Sequence, residues 1–261
     1  MTSRSTERLV ADARVLRSLH RPGEPLVLPN AWDAGSARAV EAAGFPVVAT
    51  GSAAVAEALG LEDGEAAPAG EMLASAARIA AAVSVPVTVD AEAGYGLPPD
   101  ELVEALLSAG AVGCNLEDTV HADGSLRDMA EQAAYLGSVR EAASRAGVDL
   151  VINARVDVFI LGWGEPGQRV EEAVRRGRAY AEAGADSVYP IFAADPDEIA
   201  ALVQGIGAPV NINAAPHAQS LARLAELGVA RVSYGPGLYR LTQRYLGEML
   251  GRITEGAYPA P

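Results

Sequence analysis

Three apolar runs in this chain end in residues able to hold a metal or an anion. Val87-Thr88-Val89 leads into Asp90-Ala91-Glu92 and then the turn Ala93-Gly94-Tyr95-Gly96. Val112-Gly113-Cys114-Asn115-Leu116 ends in Glu117-Asp118, and Leu150-Val151-Ile152-Asn153-Ala154 ends in Arg155-Val156-Asp157. Side chains at i and i+2 of a strand share a face, so Asp90 and Glu92 face one centre if the strand persists that far, and Asn153 shares a face with Arg155. Hard divalent cations take oxygen ligands, and magnesium typically uses one or two carboxylates directly and fills its shell with water. Asp90, Glu92 and Glu117 supply charge for such an ion, while the lack of a cysteine or histidine cluster argues against zinc. Gly51-Ser52-Ala53 puts small residues at a helix start, where backbone N–H groups can hold a carboxylate. Arg155 could grip a second carboxylate or a phosphonate through its planar fork. Each residue also has a plainer reading: an acid at a strand end as a helix cap or solvated loop residue, Arg155 as a structural ion pair with Glu117 or Asp157. The succession of such strand ends is what points to a metal-and-anion site.

The elements that must position these residues follow from pattern. Strands are expected at Leu26–Pro29, Pro46–Thr50, Pro86–Asp90, Val112–Glu117, Leu150–Arg155, Ser187–Ile191, Pro209–Asn213 and Ala230–Tyr234, each too short and too apolar to be half exposed. Helices are expected between them, among them Glu71–Val83, Pro99–Ala109, Arg127–Arg145, Pro166–Ala183, Pro196–Val203, His217–Leu227 and Pro236–Leu250. Phrases such as Ala109-Gly110-Ala111-Val112 read as a helix C-cap followed by a strand start. Eight strand–helix units in 261 residues close most naturally into a (β/α)₈ TIM-type barrel, an α/β fold, with an open doubly wound sheet as the weaker alternative. No linker divides the chain, so residues 1–261 are expected to form a single domain. An extra N-terminal helix is expected over the barrel's N-terminal end or a neighbouring subunit. In such a barrel the loops after the strands build the active site, which also brings Asn30 and Trp32 from strand one, and Asn211 and Asn213 from strand seven, toward the rim. Trp32 and Asn213 are therefore candidate substrate contacts, with packing as the alternative for Trp32.

Composition removes several function classes. All 20 basic residues are arginine, so chemistry that needs a lysine amine, a Schiff base or a pyridoxal phosphate aldimine, is excluded, as is a P-loop. The formal charge of −14 argues against a nucleic-acid partner. No apolar run is long enough to span a bilayer and the N-terminus lacks a secretory core, so a cytoplasmic protein without a membrane partner is expected. The lone Cys114 fits a reducing compartment and a packing role.

Leu28-Pro29-Asn30-Ala31-Trp32-Asp33-Ala34-Gly35-Ser36-Ala37, together with the segments ending in Gly96, Asp118 and Asp157, resembles the isocitrate lyase/phosphoenolpyruvate mutase superfamily over about residues 8 to 245. The resemblance implies an α/β barrel whose last helix is often exchanged between subunits, and hence a homo-oligomer, a dimer or tetramer. It implies Mg2+, with Mn2+ as a substitute, and a small anionic carboxylate substrate. By it Asp90 is the direct metal ligand, Glu92, Glu117 and Asp63 act mainly through metal-bound water, Ser52 with Gly51 and Ala53 forms the carboxylate cradle, and Arg155 grips substrate. Glu92 stands where the best-studied members have aspartate. The loop after strand four departs further: Thr119-Val120-His121-Ala122-Asp123-Gly124-Ser125-Leu126-Arg127 carries neither the lyases' Lys-Lys-Cys-Gly-His-like segment nor the mutases' lysine and asparagine. His121 is the one group of intermediate pKa there and is the candidate general acid, with simple exposure as its alternative. The expectation is a magnesium-dependent carbon–carbon lyase acting on a 2-oxo or 2-hydroxy di- or tricarboxylate through an enolate-like intermediate, with Arg155, Glu117 and His121 as catalytic residues. The alternatives are a phosphonopyruvate-type C–P mutase or hydrolase, and a non-catalytic oxo-acid-binding barrel.

Overall fold

The computed structural model describes residues 4–214 and 219–256. The chain begins with α1 (Thr6–Ser18), then β1 (Leu26–Leu28), β2 (Asn30–Ala31), α2 (Ala34–Ala42), β3 (Val48–Thr50), α3 (Ser52–Leu59), α4 (Ala69–Ala82), β4 (Val87–Asp90) and α5 (Pro99–Ser108). It continues with β5 (Gly113–Glu117), the short strands β6 (Thr119–Val120) and β7 (Ser125–Leu126), α6 (Met129–Arg145), β8 (Val151–Val156), a 3₁₀ turn at Pro166–Gln168 and α7 (Arg169–Glu182). The last elements are β9 (Ser187–Pro190), α8 (Pro196–Ile206), β10 (Asn211–Asn213), α9 (Leu221–Glu226), β11 (Arg231–Ser233) and α10 (Gly237–Thr254).

Parallel pairing runs β2-β3-β4-β5-β8-β9 on one side and β1-β11-β10 on the other. A single bridge between Val188 and Val210 joins β9 to β10, and Pro29 alone separates β1 from β2, so the ring closes as eight strands. This is the (β/α)₈ barrel the sequence predicts. The strands read as apolar runs because both of their faces are covered: every residue of β5 and of β9 is buried. The Ala-Gly phrases end helices as expected, Gly110 taking the left-handed conformation at φ +82°.

α1 covers the N-terminal end of the barrel. Its Leu9, Ala13 and Leu16 pack on Leu26, Leu28, Val47, Val112 and Val151. Arg17 fixes it there, donating to Asp186 (2.7 Å), which also accepts from Arg140 (2.5 Å) and the Ile152 N–H (2.8 Å). At the other end of the chain, α10 buries only Tyr239, while Leu241, Tyr245, Leu246, Leu250 and Ile253 are each about half exposed. An apolar groove of about 890 Å³ runs between α10 and α2. No helix among the described residues is long and apolar enough to cross a membrane.

Two segments differ from expectation. The loop after strand four folds back as an antiparallel hairpin, Thr119 opposite Leu126 and Val120 opposite Ser125. The helix expected from His217 is seen from Leu221, capped by the Ser220 side chain on the Arg223 N–H; His217 lies outside the described residues.

Candidate active site

The C-terminal ends of the strands open into two adjoining cavities of about 320 and 350 Å³, which share Ser52, Asp63, Arg155 and Ile160 in their walls. Asp90, the last residue of β4, is tied to β3 and α3: its N–H donates to Thr50 Oγ1 (2.9 Å) and its Oδ2 accepts the Ser52 N–H (3.1 Å). Its Oδ1 is buried and meets no donor among the described residues.

Asp90 lines the second cavity, and Glu92 reaches the adjoining first one by another route than strand alternation. β4 stops at Asp90, and Glu92 takes a left-handed backbone conformation (φ +49°) that turns its side chain inward. One carboxylate oxygen accepts the Glu65 N–H; the other, Oε1, is buried without a donor. Burial pushes its pKa up to about 8 against the pull of that N–H, with Asp63, Asp90 and Glu117 adding to the rise. The turn that follows is close-packed: a Cβ on Gly94 would fall 2.2 Å from the Tyr135 hydroxyl, so a side chain there would have to push the Tyr135 ring aside.

Glu117 ends β5, buried between Arg155 and His121. Arg155 contacts its Oε2, and His121 Nε2 lies 2.8 Å from its Oε1, at ion-pair distance without hydrogen-bond alignment. Burial drives its pKa up to about 7 against the opposing effects of Arg155 and His121. His121, carried into the first cavity by the hairpin, has its own pKa raised chiefly by this contact with Glu117. Asp118, one residue on, points the opposite way, accepting from the Asp157 N–H (2.8 Å), Arg176 (3.0 Å) and the Tyr180 hydroxyl (2.7 Å). Adjacent acids on one strand thus split between cavity and scaffold.

Arg155 takes both of its predicted partners at once. Its Nε and Nη2 bind Asp157 as a fork (2.7 and 2.9 Å) while Nη1 meets Glu117. Burial works against its charge, but Glu117, Asp157 and Asp90 outweigh it and keep the guanidinium protonated. Asp63 lines both cavities; burial raises its pKa, as does the charge of Asp90. Gly51, Ser52, Ala53 and Asn213 line the second cavity, but the Ser52 N–H is already occupied by Asp90, so a carboxylate cradle there has one donor fewer than the sequence suggests.

Trp32 is not brought to these cavities. It stands edge-on to Tyr239 (centroids 5.3 Å apart, 71°) and lines the groove beside α10. The cause is local. Asn30 turns inward to accept the Tyr234 and Gly235 N–H groups (2.8 and 2.9 Å), and the Asp33/Ser36 capping box starts α2 immediately after Trp32. Among the cavity residues that escaped the sequence reading are Asn115 and Tyr189. Asn115 carried a usable signal, since it lies two residues before Glu117 on one strand. Tyr189, buried, with its pKa pushed up to about 12, carried none.

Among the described residues no three Asp, Glu, His or Cys side chains converge closely enough to hold a metal unaided. Magnesium does not need that: one or two carboxylates and water suffice. The buried, donorless oxygens Asp90 Oδ1 and Glu92 Oε1 are oxygen ligands of the required type, so the residues present fit the ion.

Comparison with known proteins agrees with this architecture. The family model for phosphoenolpyruvate phosphomutase matches residues 16–254. An uncharacterised Mycobacterium tuberculosis (strain ATCC 25618 / H37Rv) protein is 38% identical over 226 residues, 85% of this chain and 83% of that protein. A probable 2-methylisocitrate lyase of Corynebacterium glutamicum is 28% identical over 92% of this chain and 80% of its own. A crystal structure from Burkholderia cenocepacia J2315, provisionally named a phosphonomutase, superposes with a TM-score of 0.87 at 45% identity, covering 92% of this chain and 99% of the other. The relatives' names are those of lyases and mutases, and the chain belongs to the phosphoenolpyruvate phosphomutase family, an enzyme family within the isocitrate lyase/phosphoenolpyruvate mutase superfamily.

Proposed function

We propose that this protein is a magnesium-dependent carbon–carbon lyase acting on a small 2-oxo or 2-hydroxy di- or tricarboxylate. The observation that carries the reading is a pair of buried, donorless carboxylate oxygens, on Asp90 in the second cavity and Glu92 in the first, with the guanidinium of Arg155 lining both. A cation site beside an anion site suits a substrate that chelates metal with one end and pairs with arginine at the other. Asp90 would hold the ion directly, with Glu92, Glu117 and Asp63 around its water; Mn2+ would fit the same oxygens. The bound ion would supply Lewis-acid stabilisation of developing negative charge. Arg155, locked by Asp157, orients the substrate anion and does not swing. His121, held against Glu117 in the wall of the first cavity, would deliver a proton to the leaving carbon. The hairpin that carries it lines the first cavity together with the exposed Ile160 and Leu161.

A second reading, cleavage or rearrangement of a C–P bond, is favoured by the family model and the 45% identical phosphonomutase-named structure. Incubating the protein with magnesium and oxaloacetate-type acids, 2-alkylmalates or phosphonopyruvate separates the two by product: a second organic acid, or phosphate or a rearranged phosphate ester. The lyase reading predicts turnover of a carboxylate substrate that falls by about 10²-fold or more in Glu117→Gln, in the range for loss of an electrostatic catalytic group. Full turnover in that variant would sink the assignment. Self-association belongs to the same proposal: the apolar face of α10 and the groove beside it suit a second copy of the chain.

A further inference from the structure

The proposed chemistry uses the rim of the barrel, yet a charge lies beneath it. Arg231, the first residue of β11, is 1% exposed, and it pairs with no carboxylate among the described residues. Its Nε donates to Ser233 Oγ (3.4 Å) and its Nη2 to Asn115 Oδ1 (3.2 Å). TIM barrels ordinarily fill this interior with branched apolar side chains, and a guanidinium buried without a counter-charge is costly. Burial pulls its pKa down to about 10, against the opposing effects of Tyr189, Asp90 and Cys114. On the other side His20 is buried and held down to about 4, so it adds no second charge at neutral pH.

The contact with Asn115 has a directional consequence. Asn115 Oδ1 also accepts from Asn153 Nδ2 (2.9 Å), and Asn153 Oδ1 accepts from the Ser187 hydroxyl (2.6 Å). Arginine can only donate, so Arg231 decides which end of the Asn115 amide it faces: the oxygen. The NH₂ group is left over and donates to no described residue. Asn115 lines the second cavity, is the register neighbour of Asp90 and shares a strand face with Glu117.

We propose that Asn115 is a substrate-contacting residue whose amide N–H groups bind an anionic oxygen of the bound acid, and that Arg231 is the positioning residue that fixes this orientation and supplies positive potential beneath it. The inference rests on the reading of the cavity as a carboxylate site. The test is calorimetric titration of the magnesium-loaded protein with oxalate, paired with unfolding temperatures. Asn115→Asp removes the donors and gives Arg231 an internal counter-charge, so oxalate binding falls about tenfold or more while stability is kept or raised. Asn115→Ala weakens binding similarly. Arg231→Met lowers affinity without loss of unfolding temperature, and Arg231→Lys restores most of it. Unchanged oxalate affinity in both Asn115 variants overturns the contact. An Arg231→Met protein that loses stability but keeps its affinity overturns the positioning role. Wild-type protein that binds no oxalate overturns the carboxylate reading and this inference with it; wild type that binds just as the Asn115 variants do overturns the inference alone.

Discussion

Glu92 bears two costs at one position. A non-glycine residue at positive φ is strained by about 1–3 kcal/mol, and its carboxylate sits 1% exposed among other acids. The pH dependence follows from the raised pKa. The unfolded chain loses this proton near the ordinary value of 4.5, the folded one only near 8, so the unfolded state binds fewer protons between them. Stability contributed by this group is present below about 4.5 and drains away as pH rises to 8. Metal-free Glu92→Gln is therefore expected to match wild type at pH 5 and to melt on the order of 5 °C higher at pH 8.5. Parallel melting curves for the two proteins across that range would remove Glu92 as a buried, ionising group. The sequence paired Asp90 with Glu92 through strand alternation, but the strand ends at Asp90, which lines the second cavity, while Glu92 lines the first. The left-handed residue Glu92 is followed by Gly94, against which Tyr135 packs, a contact between segments about forty residues apart that no local pattern reveals.

At the scale of elements, α1 depends on one missing side chain. A Cβ on Gly113 would lie 2.6 Å from Leu16 Cδ2 and 2.9 Å from Thr88 Oγ1, so the helix seats only because β5 begins with glycine. Gly113→Ala is expected to cost about 1–3 kcal/mol by overpacking, measured by chemical denaturation. It should leave the rim unaffected, since Gly113 lies four residues below Glu117. The eight strands were legible because each is a short apolar run between helices, which is the mark of burial on both faces. The hairpin at Thr119–Leu126 was not, because strands of two residues around Asp123-Gly124 look like any polar turn. Nor did the helical pattern of residues 6–18 say which surface α1 covers. That was decided by Arg17 meeting Asp186, 169 positions away.

For the whole molecule, the exposed apolar face of α10 makes self-association the expected state. Light scattering on Leu246→Glu/Leu250→Glu should give a smaller particle than wild type, and an unchanged mass would count against α10 as the contact. Trp32 belongs to this scale too. Sequence order places it at the rim, but the capping box of α2 and the stacking of Tyr239 turn it toward the α10 groove, so its environment is set by the last helix and not by the first strand. The joint between β9 and β10 has a further consequence. Every other neighbouring pair in the ring is laced by a ladder of two or more residues, whereas this one has the lone Val188–Val210 bridge. The barrel thus has a seam, and the seam runs up beside Tyr189 and Asn213, which both line the second cavity. Breathing of the native state should be concentrated there: amide exchange is expected to be faster at Val188 and its neighbours than along β5 and β8. On the proposed function, the β9–β10 side of the cavity would yield to substrates of different bulk more readily than the β4–β5 side that carries Asp90 and Glu117.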